Sequence, residues 1–251
     1  MLKVENLTIK YGDFTVVEDA SFSVKEGDWL MLAGPNGAGK STIINAISGG
    51  TPYTGKVILE GKDIKTMKPV EIARCMGVLS QQHYISYAYT IEEVVSLGCY
   101  SRKKGFLSGS DKQDSERIEE ALKMVGLWDI RHQSMLSLSG GELQRAFLAQ
   151  LFAQNPKLLI LDEPTNHLDL VYQKQVFNLV SEWIEKTGCA VISVVHDLSL
   201  VKAYGKQTLL LNKGKTIAYG DTDQVLSRDT LNDVYKMDVY DWMNGLLGQW
   251  K

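Results

Sequence analysis

Cysteine is scarce and badly spaced for joint work. Cys75, Cys99 and Cys189 are odd in number, far apart and never set as C-x-x-C. That pattern argues against a disulfide framework or a zinc site and fits reduced thiols in a cytosol. Long hydrophobic runs are missing too. The longest, "LLIL" and "AVISVV", fall far short of the ~20 apolar residues of a spanning helix, so a membrane role has to come through a partner. The opening stretch, "MLKVENLTIKYG", has no apolar run behind its lysine and does not read as a secretory signal. Positive charge is not in excess: 27 Lys and Arg stand against 30 Asp and Glu, for a net charge of −3. With no basic stripe, no nucleic-acid partner is expected. The short cluster Arg102-Lys103-Lys104 reads as a solvated loop. No internal repeat or low-complexity segment is seen.

What is present is an ordinary globular balance, 44% hydrophobic and 23% charged, in a chain long enough for one or two cores. The first third alternates apolar and polar residues in strand-length pieces, "KVENLTIKYG" and "TVVEDASFSV". "DWLMLAG" is a continuous apolar run of the kind found in buried parallel strands. "STIINAISGG" sets Ile43, Ile44 and Ile47 at helical spacing before a Gly-Gly stop, and "GKVILEGKDI" reads as a strand pair. From Tyr84 to Gln154 the pattern turns helical. "TIEEVV" carries a capping box, "SERIEEALKMVG" sets Ile118, Leu122 and Val125 on one face, and "ELQRAFLAQLFAQNP" sets Leu143, Phe147 and Leu151 on one face. Strand and helix then alternate through "KLLILDEP", "QKQVFNLVSEWIEKTG" and "CAVISVVHD". "QTLLLNKGKTIAYG" reads as a hairpin. Strand–helix alternation implies an α/β fold with a mainly parallel sheet, the helical middle being an insertion.

"GPNGAGKST", Gly34 to Thr42, carries the chemistry. It follows a buried strand and opens a helix, the context that turns a glycine-rich turn into a phosphate loop. Backbone N–H groups around Asn36, Gly37 and Gly39 can wrap a phosphate chain. Lys40 can reach the terminal phosphates, Ser41 can ligate Mg²⁺, and Thr42 lies in the positive first turn of the helix. Such a loop needs a carboxylate for Mg²⁺, and Asp162 ends the strand "LLILD". Glu163 follows, suited to orient or deprotonate an attacking water. His196 lies at the end of "AVISVVH", where a lone histidine is more often structural but beside a phosphate loop can bond the γ-phosphate. Gln81, at the start of the helical insertion, is a candidate to reach Mg²⁺ or the water. Tyr11 can stack on adenine, though an exposed strand aromatic fits its spacing equally well. A second nest, "SLSGGELQR", sets Ser139, Gly140 and Gly141 before another helix, with no lysine of its own.

In this order (Tyr11, "GPNGAGKST", Gln81, "LSGGELQR", "LLILDEP", "NHLD" and His196) the motifs resemble the nucleotide-binding subunit of ATP-binding cassette (ABC) transporters over nearly the whole chain. The segments around Gln81, "TIEEVVSLGCYSRKKG" and "LDLVYQ" are similar to importers of the iron-siderophore, haem and vitamin B12 class. The resemblance implies one cassette over 1–251: a P-loop NTPase core with an N-terminal antiparallel β part in 1–83 and 155–220. A helical subdomain with the signature would cover 84–154, and a C-terminal tail 221–251. It implies an ATPase using ATP and Mg²⁺ at the cytoplasmic face of the cell membrane. Its expected partners are integral membrane permeases and, indirectly, an extracytoplasmic substrate-binding protein. Two copies would close head to tail around two ATP. Lys40, Ser41, Asp162, Glu163 and His196 would act on the nucleotide of their own chain, Ser139, Gly140 and Gly141 on that of the other, with Asp169 at the shared face. The tyrosines in His83–Thr90 would form the permease-docking surface. Two departures stand out. Glu142 occupies the signature position where glutamine is usual. "TNHLD" is frequent in a soluble, translation-associated branch, whose two cassettes per chain contrast with the single one here. Action on ribosomes or nucleic acid is the competing reading.

Overall fold

The computed structural model describes residues 1–80, 87–102, 112–166 and 168–250. Strands β1 (Leu2–Tyr11) and β2 (Phe14–Val24) pair antiparallel around a turn at Gly12-Asp13. In β1 the buried residues are Leu2, Val4, Leu7 and Ile9, an alternation that slips once. The slip falls where the register shifts between Val4 and Leu7 and Asn6 takes φ 50, a bulge that keeps both apolar pairs on the inner face. Strand β3 (Trp29–Ala33) is buried throughout and leads into helix α1 (Lys40–Ile47), which buries Ile43, Ile44 and Ile47. β4 (Thr54–Leu59) and β5 (Lys62–Asp63) form the expected strand pair.

Helix α2 (Pro69–Cys75) opens on proline at its first turn, where the missing N–H costs nothing, and precedes β6 (Met76–Leu79). α3 (Ile91–Ser96) begins with the expected capping box: Glu93 N–H donates to Thr90 Oγ1 at 3.2 Å and Thr90 N–H returns to Glu93 Oε2 at 2.7 Å. α4 (Lys112–Met124) buries Ala121 and Leu122. α5 (Gly140–Gln154) differs from expectation. Leu143 and Phe147 are only half-buried, while Ala146, Leu148, Ala149, Phe152 and Ala153 are buried along with Leu151. A helix packed on more than one side has no single apolar face for the spacing to reveal.

β7 (Leu158–Asp162) is buried along its length, and α6 (Leu170–Thr187) starts at Leu170 because Asp169 caps it, accepting from Tyr172 N–H at 3.0 Å. β8 (Ala190–Val194), α7 (Leu198–Tyr204), the hairpin β9 (Gln207–Asn212) and β10 (Lys215–Asp221), and the helices α8 (Thr222–Val225), α9 (Arg228–Tyr235) and α10 (Val239–Gly248) complete the chain.

The elements group into two compact units. One comprises Thr66–Ile192 with Met1 and Lys25–Gly27, so the described residues of 84–154 lie in it together with β6, β7 and α6. There β6 pairs parallel with β7, and β8 follows on the far side of β7. Its core includes Phe152 stacked on Trp183, ring centroids 4.4 Å apart and 13° from parallel. Such a pair contributes about 0.5–1.5 kcal/mol beyond its buried area.

The other unit comprises Leu2–Val24, Asp28–Lys65 and Ser193–Lys251. Its strands run in the order β5-β4-β1-β2-β10-β9-β3. β1 pairs antiparallel with both β2 and β4, as expected of an N-terminal β part, while β2 is parallel to β10 and β3 to β9. Trp29 is buried here, its Nε1–H donating to Ser193 Oγ at 2.9 Å, so the indole leaves no polar group unmet. No helix among the described residues is long and apolar enough to cross a membrane.

Candidate nucleotide site

The phosphate loop lies in the second unit, between β3 and α1. Gly34 has φ 136, and a Cβ there would sit 2.1 Å from the Leu211 carbonyl oxygen on β9. Gly39, the N-cap of α1, has φ 100, and a Cβ would sit 2.9 Å from Val17 Cγ2. Both positions need glycine twice over, for the left-handed backbone and for the close approach. The loop is therefore clamped between β9 and β2.

α1 starts without a side-chain cap. The first-turn N–H groups of a helix have no acceptor within it, which suits this end to an anion. Lys40 is buried and donates from Nζ to the carbonyls of Gly34 at 2.7 Å and Pro35 at 3.0 Å. An ammonium carries three donors, so these bonds aim it across its own loop. Asn36 and Gly37 are exposed at the loop tip, and Ser41 and Thr42 are half-buried in the first turn of the helix. Tyr11 is 55% exposed, its hydroxyl 3.4 Å from Thr51 Oγ1, leaving its ring open for stacking. His196 is exposed two residues beyond β8, just before Asp197 caps α7 through Ser199 N–H at 2.7 Å.

The carboxylates and the signature lie in the first unit. Asp162 is buried at the end of β7, and Glu163 follows in the left-handed region at φ 52. A non-glycine residue held there costs of order 1–2 kcal/mol, so its neighbours must hold it in place. Asn166 holds it from both sides: its Nδ2 donates to Glu163 Oε2 at 2.9 Å, and its N–H donates to the Glu163 carbonyl at 3.1 Å.

Ser139 caps α5, whose helix begins at Gly140, two residues before the expected start at Glu142. Gly140 is exposed with open space where a Cβ would go. At Gly141 a Cβ would meet the Tyr172 ring at 2.5 Å. Gln144 Nε2 donates to the Pro164 carbonyl at 2.7 Å, tying the signature helix to the turn after Glu163. Asp169, exposed as an N-cap, holds the start of α6 and with it Tyr172. So the structure joins the signature, the Asp-Glu turn and Asp169 into one scaffold. Gln81 and Tyr84 lie outside the described residues.

Three supporting residues escaped the sequence reading: Asn166 as the holder of Glu163, Tyr172 as the floor beneath Gly141, and Gln144 as the tie to Pro164. All three sat inside quoted motifs, yet nothing in their spacing assigns them those contacts.

Ser41 in one unit and Asp162 in the other are each an oxygen donor of the hard kind Mg²⁺ takes, and one or two protein ligands suffice when substrate phosphates and waters supply the rest. Among the described residues no cluster of three or more His, Cys, Asp or Glu could hold a metal alone.

The family model for the ABC transporter matches residues 17–166, more than half of the chain. The chain belongs to the ABC transporter family. Its fold is that of the ABC ATPase cassette, an α/β P-loop NTPase. It is 35% identical to the iron(3+)-hydroxamate import ATP-binding protein FhuC of Bacillus subtilis (strain 168), over 95% of this chain and 88% of that protein. It is 34% identical to the hemin import ATP-binding protein HmuV of Shewanella denitrificans (strain OS217 / ATCC BAA-1090 / DSM 15013), over 95% and 94%. The uncharacterized ABC transporter ATP-binding protein YvrA of Bacillus subtilis (strain 168) is 35% identical over 95% of this chain, which spans 54% of that protein. Among solved structures, a metal-chelate type ABC transporter in an inward-facing conformation superposes with a TM-score of 0.82 at 27% identity, covering 94% of this cassette and 89% of that chain. The dimeric post-hydrolysis state of the cassette MJ0796 bound to ADP and Pi matches with a TM-score of 0.77 at 27% identity, over 88% and 99%.

Proposed function

We propose that this cassette is the ATP-hydrolysing subunit of an importer for an iron-siderophore or haem type of chelate, working as a head-to-tail pair beneath membrane permeases at the cytoplasmic face. The observation that carries this is near full-length similarity to siderophore and hemin import ATP-binding proteins, together with a phosphate loop clamped in shape. The competing reading, action on ribosomes or nucleic acid, has no comparable observation in its favour.

Lys40, Ser41 and the first turn of α1 hold the triphosphate, and Tyr11 stacks on the base. Asp162 and Ser41 would hold Mg²⁺, with Gln81 a candidate third ligand, and the ion would neutralise charge on the phosphates. Glu163 orients a water for in-line attack on the γ-phosphorus. The new O–P bond forms as the bond to the ADP oxygen breaks, and the water's proton leaves toward Glu163. His196 donates to the γ-phosphate. Ser139, Gly140 and Gly141 serve the nucleotide of the second copy, with Asp169 at the shared face. A dimeric relative holding ADP and phosphate supports the paired arrangement. The permease and a substrate-binding protein outside the membrane complete the system.

The test is Glu163→Gln. Turnover should fall by a factor of a hundred or more, roughly the weight of a positioned acid–base group, and ATP should drive a stable pair with twice the monomer mass by light scattering. Retained hydrolysis would remove Glu163 from its role.

A further inference from the structure

Glu142 sits at the signature position where the family usually has glutamine, and the structure shows what the carboxylate does. Ser139 N–H donates to Glu142 Oε2 at 2.9 Å, and the Ser139 hydroxyl donates to the same oxygen at 2.7 Å. In return Glu142 N–H donates to Ser139 Oγ at 3.4 Å. A serine hydroxyl has one proton. In this chain that proton already goes to Glu142, so it cannot also go to a phosphate oxygen of a second copy's nucleotide. The carboxylate also puts a full negative charge on the first turn of α5, the helix end that otherwise favours an anion. The Ser139 hydroxyl, the Ser139 N–H and the charge of Arg145 one turn on hold the Glu142 carboxyl below the usual carboxylate range. Arg145 is itself anchored, Nη1 donating to the Val125 carbonyl at 2.8 Å. Glu142 therefore stays ionised and in place at neutral pH.

We propose that Glu142 is a latch on the signature: it keeps Ser139 in the chain's own capping hydrogen bond and sets the ATP concentration at which two copies close. This rests on the reading that Ser139 serves the other copy's nucleotide. Closure turns the Ser139 hydroxyl from carboxylate to phosphate and brings the carboxylate beside the triphosphate; both oppose pairing. Glutamine at this position still offers an oxygen to Ser139. Its neutral amide carries no charge and, as the weaker acceptor, yields the proton more readily.

A charge in the first turn of a helix shifts anion binding roughly two- to fivefold. A two-fold pair has two such sites, so the dimerisation constant should change roughly three- to thirtyfold. Because closure takes up two ATP, the ATP midpoint should fall roughly two- to fivefold. The experiment titrates ATP with Mg²⁺ against the full chain carrying Glu163→Gln, with and without Glu142→Gln, and reads dimer mass by light scattering. A lower midpoint with Glu142→Gln, in a nucleotide-free chain that still melts cooperatively, supports the latch. Glu142→Ala should lower the midpoint too, but with a lower melting temperature, since it also removes half of the cap. An unchanged or raised midpoint in Glu142→Gln overturns the latch. Ser139→Arg separates the two ideas. If it pairs as readily as the parent, the reading of Ser139 fails and the latch with it. If it blocks pairing while Glu142→Gln leaves the midpoint alone, only the latch fails.

Discussion

Glu163 and Asn166 show how one side chain disciplines another. Glu163 occupies a left-handed backbone position at the end of β7, and Asn166 secures both its carboxylate and its carbonyl. In the role proposed for Glu163, a carboxylate that aims one water cannot sample many rotamers, so this hold should matter for turnover more than for binding. Asn166→Ala is expected to lower kcat roughly two- to tenfold, the weight of one net hydrogen bond, with nucleotide affinity unchanged in an equilibrium binding assay. An equal loss in affinity would mean that Asn166 acts on the ground state instead. The sequence made Glu163 a candidate because it follows Asp162 at a strand end. Its unusual φ could not be foreseen, because backbone conformation at a turn depends on what the following residues bond to.

At the scale of elements, helix starts were the most legible features. Capping is a short-range bargain between residues three apart, so the Thr90–Glu93 box could be read directly, and α3 forms it. The Ser139–Glu142 box has the same form. Ser139, through its hydroxyl and N–H, holds the Glu142 carboxyl below the usual range, and Thr90, through its N–H and hydroxyl, does the same for Glu93. A lowered carboxyl binds its proton less readily in the folded state. The stability it contributes is therefore present above the ordinary carboxylate value and lost as pH falls through the lowered one. Melting temperature measured down an acid series should drop less steeply for Glu93→Gln than for the parent; identical slopes would remove Glu93 from the acid response.

Packing between elements was not legible. Gly141 reads as a phosphate-nest glycine, yet its Cβ position is filled by the Tyr172 ring from α6. Gly141→Ala should destabilise by about 1–3 kcal/mol through overpacking. That corresponds to a melting temperature lower by roughly 2–12 °C in a chain of this size. Adding Tyr172→Ala should recover part of the loss, and no recovery would place the clash elsewhere.

At the scale of the whole molecule, the proposed function depends on surfaces that meet other chains. Tyr87 and Tyr89 are exposed, with ring centroids 6.0 Å apart and the rings edge to face. Two large aromatics in water next to a helix start are suited to a partner, since aromatic anchors dominate protein interfaces. Replacing both by alanine should leave hydrolysis by the isolated cassette within about twofold, while ATP-driven uptake in vesicles with the permease falls tenfold or more, the loss of one or two hot-spot side chains. Unaltered uptake would move the docking surface off these tyrosines.

The sequence by itself determined the chemistry and the family: the phosphate loop after a buried strand, the Asp-Glu pair after another, the lysine-free second nest, and the strand and helix order. These are patterns within a few bonds of one another, where backbone geometry and capping act directly. Only the tertiary structure decided that β9 and β2 clamp the phosphate loop through Gly34 and Gly39, and that α5 is buried on more than one side. It also decided that Tyr172, Gln144 and Asn166 brace the signature and the Asp-Glu turn. Each of these is a contact between residues distant in the chain or a backbone state set by such contacts. Close packing selects them from many partners of similar polarity and size, and no periodicity along the chain encodes that choice.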